Sequence, residues 1–181
     1  MELFDKEKLE ELIGLFAKRM SDAGVTGKIS IVGGAALSVA YIPDRAATTD
    51  IDATYPNDPR VPSIINQIAE EFDLPTTWIN NAVNAYIPFE ITEMWVHSQK
   101  IGEIEVRYAS AELLLAMKLK ADRGRRDRPD IAALINLCGL TAIEEIETIY
   151  ERFHHQEVLR PQTRSVVLQM LTSPSAPTTF Q

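Results

Sequence analysis

The chain has almost none of the residues that staple or metallate small folds. Its 181 residues include one cysteine, Cys138, and three histidines, so an internal disulfide is impossible, and the sequence shows no Cys/His cluster for zinc. Basic residues are also scarce. Eighteen Lys+Arg face twenty-six Asp+Glu, for a net charge of -8, the opposite of what a generic nucleic-acid coat protein or basic membrane-surface binder needs. The uncharged stretch Ile29–Pro43 contains Gly33-Gly34 and falls short of the roughly 20 residues that span a bilayer. The first twenty residues are charged and amphipathic, unlike a signal or transit peptide. A cytoplasmic protein of one ordinary domain's length is the expectation. Hydrophobic residues at 45% and charged residues at 24% are those of a folded globular chain.

The apolar periodicities change along the chain. Leu9, Leu12, Ile13, Phe16 and Met20 follow helical spacing, with Asp5 available as a cap. Ile29–Val32 reads as a short buried strand broken by Gly33-Gly34, followed by a small apolar helix over Ala35–Tyr41. Thr49–Tyr55 alternates as a strand, and Ile64, Ile65, Ile68, Ala69 and Phe72 mark the next helix. Residues 93–97 and 101–108 read as a hairpin joined through Ser98-Gln99-Lys100, and Thr77–Asn81 as a short turn of helix. Beyond that the chain is helical: one helix follows Ser110, and a second runs from about Asp130 to Cys138. A third opens at a Thr141/Glu144 capping box, and the last starts near Pro161. The result is an α+β fold, with an α/β core over 1–109, helices over 110–171 and a mobile polar tail over 172–181.

The stretch that could carry chemistry is Ile31-Val-Gly-Gly-Ala-Ala-Leu37, then Arg45 and Thr48-Thr-Asp-Ile-Asp52. Carboxylates at i and i+2 of a strand share a face. Fixed that close they repel one another unless a cation sits between them, which suits Asp50 and Asp52 to Mg²⁺ completed by substrate phosphates. A Gly-Gly turn before a helix lets backbone N–H groups approach a phosphate, so Gly33 and Gly34 would cradle a nucleoside triphosphate above that metal. A tight turn beside a solvated strand face is the plainer alternative. A third acid is expected on the later strand, where Glu105, flanked by Ile104 and Val106, is preferred to Glu103; a solvated edge is the alternative. From Lys118 to Arg128 six residues are basic and two acidic. This cluster could neutralise phosphate charge, with Lys118 the best single ligand, or form helical i,i+4 pairs. Trp78, Asn80 and Asn81 could line a pocket, although a structural cap with a buried indole explains them equally well. The segment Gly24–Ile29 lacks the spacing of a phosphate loop.

Val32-Gly-Gly-Ala-Ala-Leu37, Arg45 and Thr48-x-Asp-Ile-Asp52 resemble the signature of the minimal nucleotidyltransferases of the DNA polymerase β superfamily. Leu74–Asn81, Leu114–Leu119 and Arg126-Asp-Arg-Pro-Asp130-Ile are similar to a prokaryotic branch related to abortive-infection nucleotidyltransferase toxins. The resemblance runs from about residue 29 to 171. It implies Mg²⁺ on Asp50, Asp52 and, by inference, Glu105, all three catalytic, with Gly33, Gly34, Arg45, Thr48, Lys118 and Arg126 toward the substrate. An acceptor hydroxyl on a tRNA or other RNA end, a protein or a small molecule would attack the α-phosphorus and release pyrophosphate. A cognate antitoxin would be the protein partner, and no membrane is involved. Asn81 departs from the branch, which often has an acid there. A catalytically silent fold serving as a nucleotide sensor or partner-binding module is the second reading, and an aminoglycoside-modifying enzyme a third.

Overall fold

The computed structural model describes residues 3–45, 48–85, 87 and 94–172; the expected tail lies almost wholly outside them. The chain divides into two compact units, Met1–Ser110 and Ala111–Gln181.

The first unit begins with α1, Lys6–Asp22. The Asp5 carboxylate accepts the Lys8 backbone N–H at 2.9 Å, satisfying one of the donors that every helix start leaves free. Leu9, Leu12, Ile13, Phe16 and Met20 are buried, as their spacing predicts. β1 (Gly27–Ile31) leads straight into α2 (Gly33–Ala40), and β2 spans Ile51–Thr54. α3 (Val61–Glu71) starts with Pro62 in its first turn, where a missing N–H costs nothing. β3 is only Ile79–Asn80, followed by a 3₁₀ turn over Ala82–Ala85, then β4 (Trp95–Ile101) and β5 (Ile104–Ala109).

The five strands form one mixed sheet in the order β3-β2-β1-β5-β4. β1 runs parallel to β5 and antiparallel to β2, while β3 is parallel to β2 and β4 antiparallel to β5. Alternation along the strands sorts the side chains. Ile29, Ile31, Ile51, Ala53, Ile104 and Val106 are buried on one face. Lys28, Ser30, Asp52, Thr54, Glu105 and Arg107 take the other. Phe16 of α1 meets Tyr55 and Trp78 edge-on at 5.7 and 5.9 Å between centroids, contacts worth about 0.5–1.5 kcal/mol each beyond area burial.

Two local expectations shift. The hairpin turn is Gly102-Glu103, because β4 continues through Ser98-Gln99-Lys100 to Ile101, which pairs with Ile104. Gly102 has φ +57, the left-handed backbone that the first position of a II′ turn requires; a bulge between Val96 and Gln99 absorbs the extra residue. Trp78–Asn81 is not helical either. Trp78 is completely buried and its indole N–H donates to the Ile65 carbonyl at 3.1 Å, anchoring the start of β3.

The second unit holds α4 (Ala111–Ala121), a 3₁₀ turn at Gly124–Arg126, α5 (Arg128–Leu137), α6 (Ile143–Phe153) and α7 (Pro161–Thr172). α4 packs on α5 and α6, and α6 on α7. The cap of α6 falls one residue later than the Thr141/Glu144 pattern predicts. Glu145 accepts the backbone N–H groups of Thr141 and Ala142 at 2.9 Å each, and Ala142, at the cap position, offers no oxygen in return. Among the described residues no helix is long and apolar enough to cross a membrane.

Candidate active site

The Gly-Gly turn and the acid pair come together at the ends of β1 and β2. Val32 donates its N–H to the Asp52 carbonyl at 2.9 Å, fixing the two strands side by side where α2 begins. Gly33 has φ +62, and a Cβ there would lie 2.7 Å from Asp52 Oδ2. The carboxylate therefore occupies the space that any other residue's side chain would fill. A Cβ on Gly34 would meet the Arg45 guanidinium and the Thr48 hydroxyl, each at 3.2 Å. One acid, one cation and one hydroxyl thus converge on two adjacent glycines.

Asp50 stands one residue ahead of β2 rather than within it, so strict strand alternation does not place its side chain. A cross-strand neighbour supplies the link. Asn80 pairs in register with Asp52, so the two side chains share a face, and its amide donates to Asp50 Oδ2 at 3.4 Å. Thr48 Oγ1 donates to the Asp50 carbonyl at 3.2 Å. Asn80 thereby draws the Asp50 carboxylate to the face that carries Asp52. Two neighbouring carboxylates fit Mg²⁺ when substrate phosphates supply the remaining oxygens, while the glycine N–H groups and the arginine fit those phosphates.

Glu105 is not brought into this group. It shares the face of Asp52 but pairs with Lys28 on β1, whereas Asp52 sits level with Val32. Two strand spacings and four residues along the strand separate them, about 16 Å. Its carboxylate accepts from Ser98 Oγ at 2.7 Å and faces Lys28 Nζ at 3.7 Å. The Ser98 hydrogen bond lowers its pKa against the opposing effect of desolvation, with smaller help from Lys28 and Arg107. Among the described residues no group of three or more His, Cys, Asp or Glu side chains could hold a metal. The charged residue of β5 nearest the acid pair on this face is Arg107, which the sequence pattern alone does not single out. Its guanidinium lies 4.4 Å from the Trp95 ring and its Nε donates to Ser30 at 2.8 Å. The alternation Ile104-Glu-Val-Arg-Tyr108 already puts it on the face of Glu105.

The remaining expected substrate ligands, Lys118 and Arg126, belong to the second unit. Lys118 is buried, 7% exposed, and its ammonium lies 2.7 Å from Asp127 Oδ1 and 2.8 Å from Asp130 Oδ2. The expected phosphate ligand is instead a cation already matched by two carboxylates, holding α4 to the start of α5. Burial alone would raise the Asp127 pKa, but hydrogen bonds from Arg123 and Lys118 outweigh it and hold the carboxyl at about 2. Arg126 is exposed on the 3₁₀ turn.

No protein-family model and no curated protein matches the sequence. Among solved structures the chain is similar to an antigenic nucleotidyltransferase-like protein from Paracoccidioides brasiliensis, with 16% identity and a TM-score of 0.49. The match covers 92% of this chain and 95% of that one.

Proposed function

We propose that the chain is a Mg²⁺-dependent nucleotidyltransferase, moving a nucleoside monophosphate from a nucleoside triphosphate to an acceptor hydroxyl. The observation that carries this reading is the Asp52 carboxylate seated against Gly33, with Arg45 and Thr48 closing over Gly34. Asp50 and Asp52 would hold the metal, whose contribution when bound is to neutralise phosphate oxygens and fix their positions. The N–H groups at the start of α2 and the Arg45 guanidinium would bind the phosphate chain. The acceptor oxygen forms a bond to the α-phosphorus, the α–β anhydride bond breaks, and the hydroxyl proton passes to the carboxylate pair. Orientation and charge neutralisation account for most of the rate gain in such transfers.

The test uses purified protein, Mg²⁺, each α-labelled nucleoside triphosphate in turn, and total RNA and protein as acceptors. Wild type is expected to transfer label and Asp50→Ala/Asp52→Ala to transfer none. The labelled species names the acceptor. The motif series from Leu74 to Ile131 supports a toxin-like role restrained by a cognate antitoxin, so induced expression of wild type, and not of the double variant, is expected to arrest growth.

A specific observation favours a second reading. Among the described residues only two carboxylates, Asp50 and Asp52, stand near the turn, and Glu105 stands far along the sheet. A silent nucleotidyltransferase fold that senses a nucleotide would bind triphosphate by calorimetry in the same samples and transfer nothing.

A further inference from the structure

β3 pairs with β2 only at Ile51 and Asp52, and past Asn80 the chain turns away into its 3₁₀ turn. A cleft of about 670 Å³ opens there, bounded by the exit of β2, the first turns of α3 and the Thr76–Asn81 segment. Buried Ile65 and Ile79 and half-buried Tyr55 are among its lining residues; Asn66, Thr77 and Asn81, also lining it, are exposed. Among the described residues no lysine, arginine or histidine lines it. The one carboxylate among them, Asp58, is committed to Arg60, accepting the backbone N–H at 2.9 Å and Nε at 2.7 Å.

This lining is wrong for a triphosphate, which needs cations. It is right for a flat, neutral heterocycle with donors and acceptors on its edge and apolar faces. Amides and hydroxyls answer such an edge in both senses, and apolar and aromatic side chains answer the faces. The cleft also adjoins the acid pair, because Asn80, one of its lining residues, donates to Asp50. Asn80 is common to both.

We infer that this cleft is a nucleoside subsite, receiving the base and ribose of the donor triphosphate or of the nucleotide that carries the acceptor hydroxyl. Its place in a reaction rests on the transferase reading of Asp50 and Asp52; its chemistry does not. One ligand class has two sources, and the test separates them.

The full chain, ¹⁵N-labelled, is titrated with adenosine, guanosine, cytidine and uridine, and separately with inorganic tripolyphosphate and Mg²⁺. At least one nucleoside is expected to shift the amides of residues 55–66 and 76–81, and tripolyphosphate those of residues 33–34 and 50–52. Thr77→Arg and Asn66→Arg, both at exposed lining residues, are expected to weaken nucleoside binding at least about tenfold while leaving tripolyphosphate binding unchanged. Competition between nucleoside and nucleoside triphosphate identifies the donor as the source; simultaneous binding identifies the acceptor. Asp50→Ala/Asp52→Ala is expected to lose tripolyphosphate and keep the nucleoside, so failure of the transferase reading leaves this arm standing. The inference is overturned if no nucleoside moves the cleft amides up to about 10 mM, or if both arginine variants bind as wild type does.

Discussion

Replacing Gly33 by alanine tests the geometry of the turn directly. The substitution adds one methyl group at a residue with φ +62, where the new Cβ would stand 2.7 Å from Asp52 Oδ2 and 3.4 Å from Asp52 Cβ. An L-residue in left-handed backbone costs about 1–2 kcal/mol, and the carboxylate must also swing away. In a chain of this size each kcal/mol lowers the melting temperature by about 2–4 °C, so a drop of about 2–8 °C is expected. Gly34→Ala is the control. It has no positive φ, its nearest neighbours are the flexible Arg45 and Thr48 side chains at 3.2 Å, and alanine is the better helix former by about 0.5–1 kcal/mol. Thermal unfolding followed by circular dichroism, with and without Mg²⁺ and nucleoside triphosphate, reads both effects. Gly33→Ala is expected to melt lower and to lose the ligand-dependent rise; Gly34→Ala is expected to melt within about 2 °C of wild type. A Gly33→Ala protein that melts like wild type and responds equally to ligand would refute the argument.

Three further outcomes are expected. Glu105→Gln leaves both transfer and Mg²⁺ dependence unchanged, because its partners are Ser98 and Lys28; a metal-dependent loss measured by transfer assay would return it to the site. Asn80→Asp adds a third carboxylate beside Asp50, so it should lower the melting temperature without metal and increase the rise on adding Mg²⁺. In the second unit, Asp127→Ala leaves the buried Lys118 ammonium with one of its two carboxylates, Asp130, and should cost up to about 3 kcal/mol in urea unfolding. The Asp127 pKa is depressed to about 2. Its contribution to stability is therefore complete above the ordinary carboxyl range and is lost as the pH falls through that range toward 2, which acid unfolding of wild type against Lys118→Met/Asp127→Leu/Asp130→Leu will show.

Much of the frame was legible because it rests on periodicity. The apolar positions of α1, α3 and α6 predict their buried faces, and Gly33-Gly34 marks the passage from β1 to α2. The Asp-x-Asp spacing identified the acids, although Asp50 reaches its place by hydrogen bonding rather than by strand alternation. Register was not legible. Whether Glu105 or Arg107 stands nearer Asp52 depends on which residue of β5 faces Lys28, and pairing between strands distant in sequence leaves no local trace. Charge was misleading at Lys118, since the acids that hold its ammonium, Asp127 and Asp130, lie at the end of that basic stretch and just past it, beyond the reach of an i,i+4 argument. Asn80 drew notice as a pocket residue, yet its tie to Asp50 depends on the β2–β3 pairing.

The central strand β1 has its parallel partner, β5, at the far end of the first unit: Gly27 pairs with Ile104 and Ile31 with Tyr108. Closing so long a loop must precede the contacts that reward it, which slows folding. On a ribosome, the glycines and both aspartates emerge well before the strand that completes the sheet beneath them. The candidate site is thus assembled late, and no fragment ending before β5 contains the platform on which it stands.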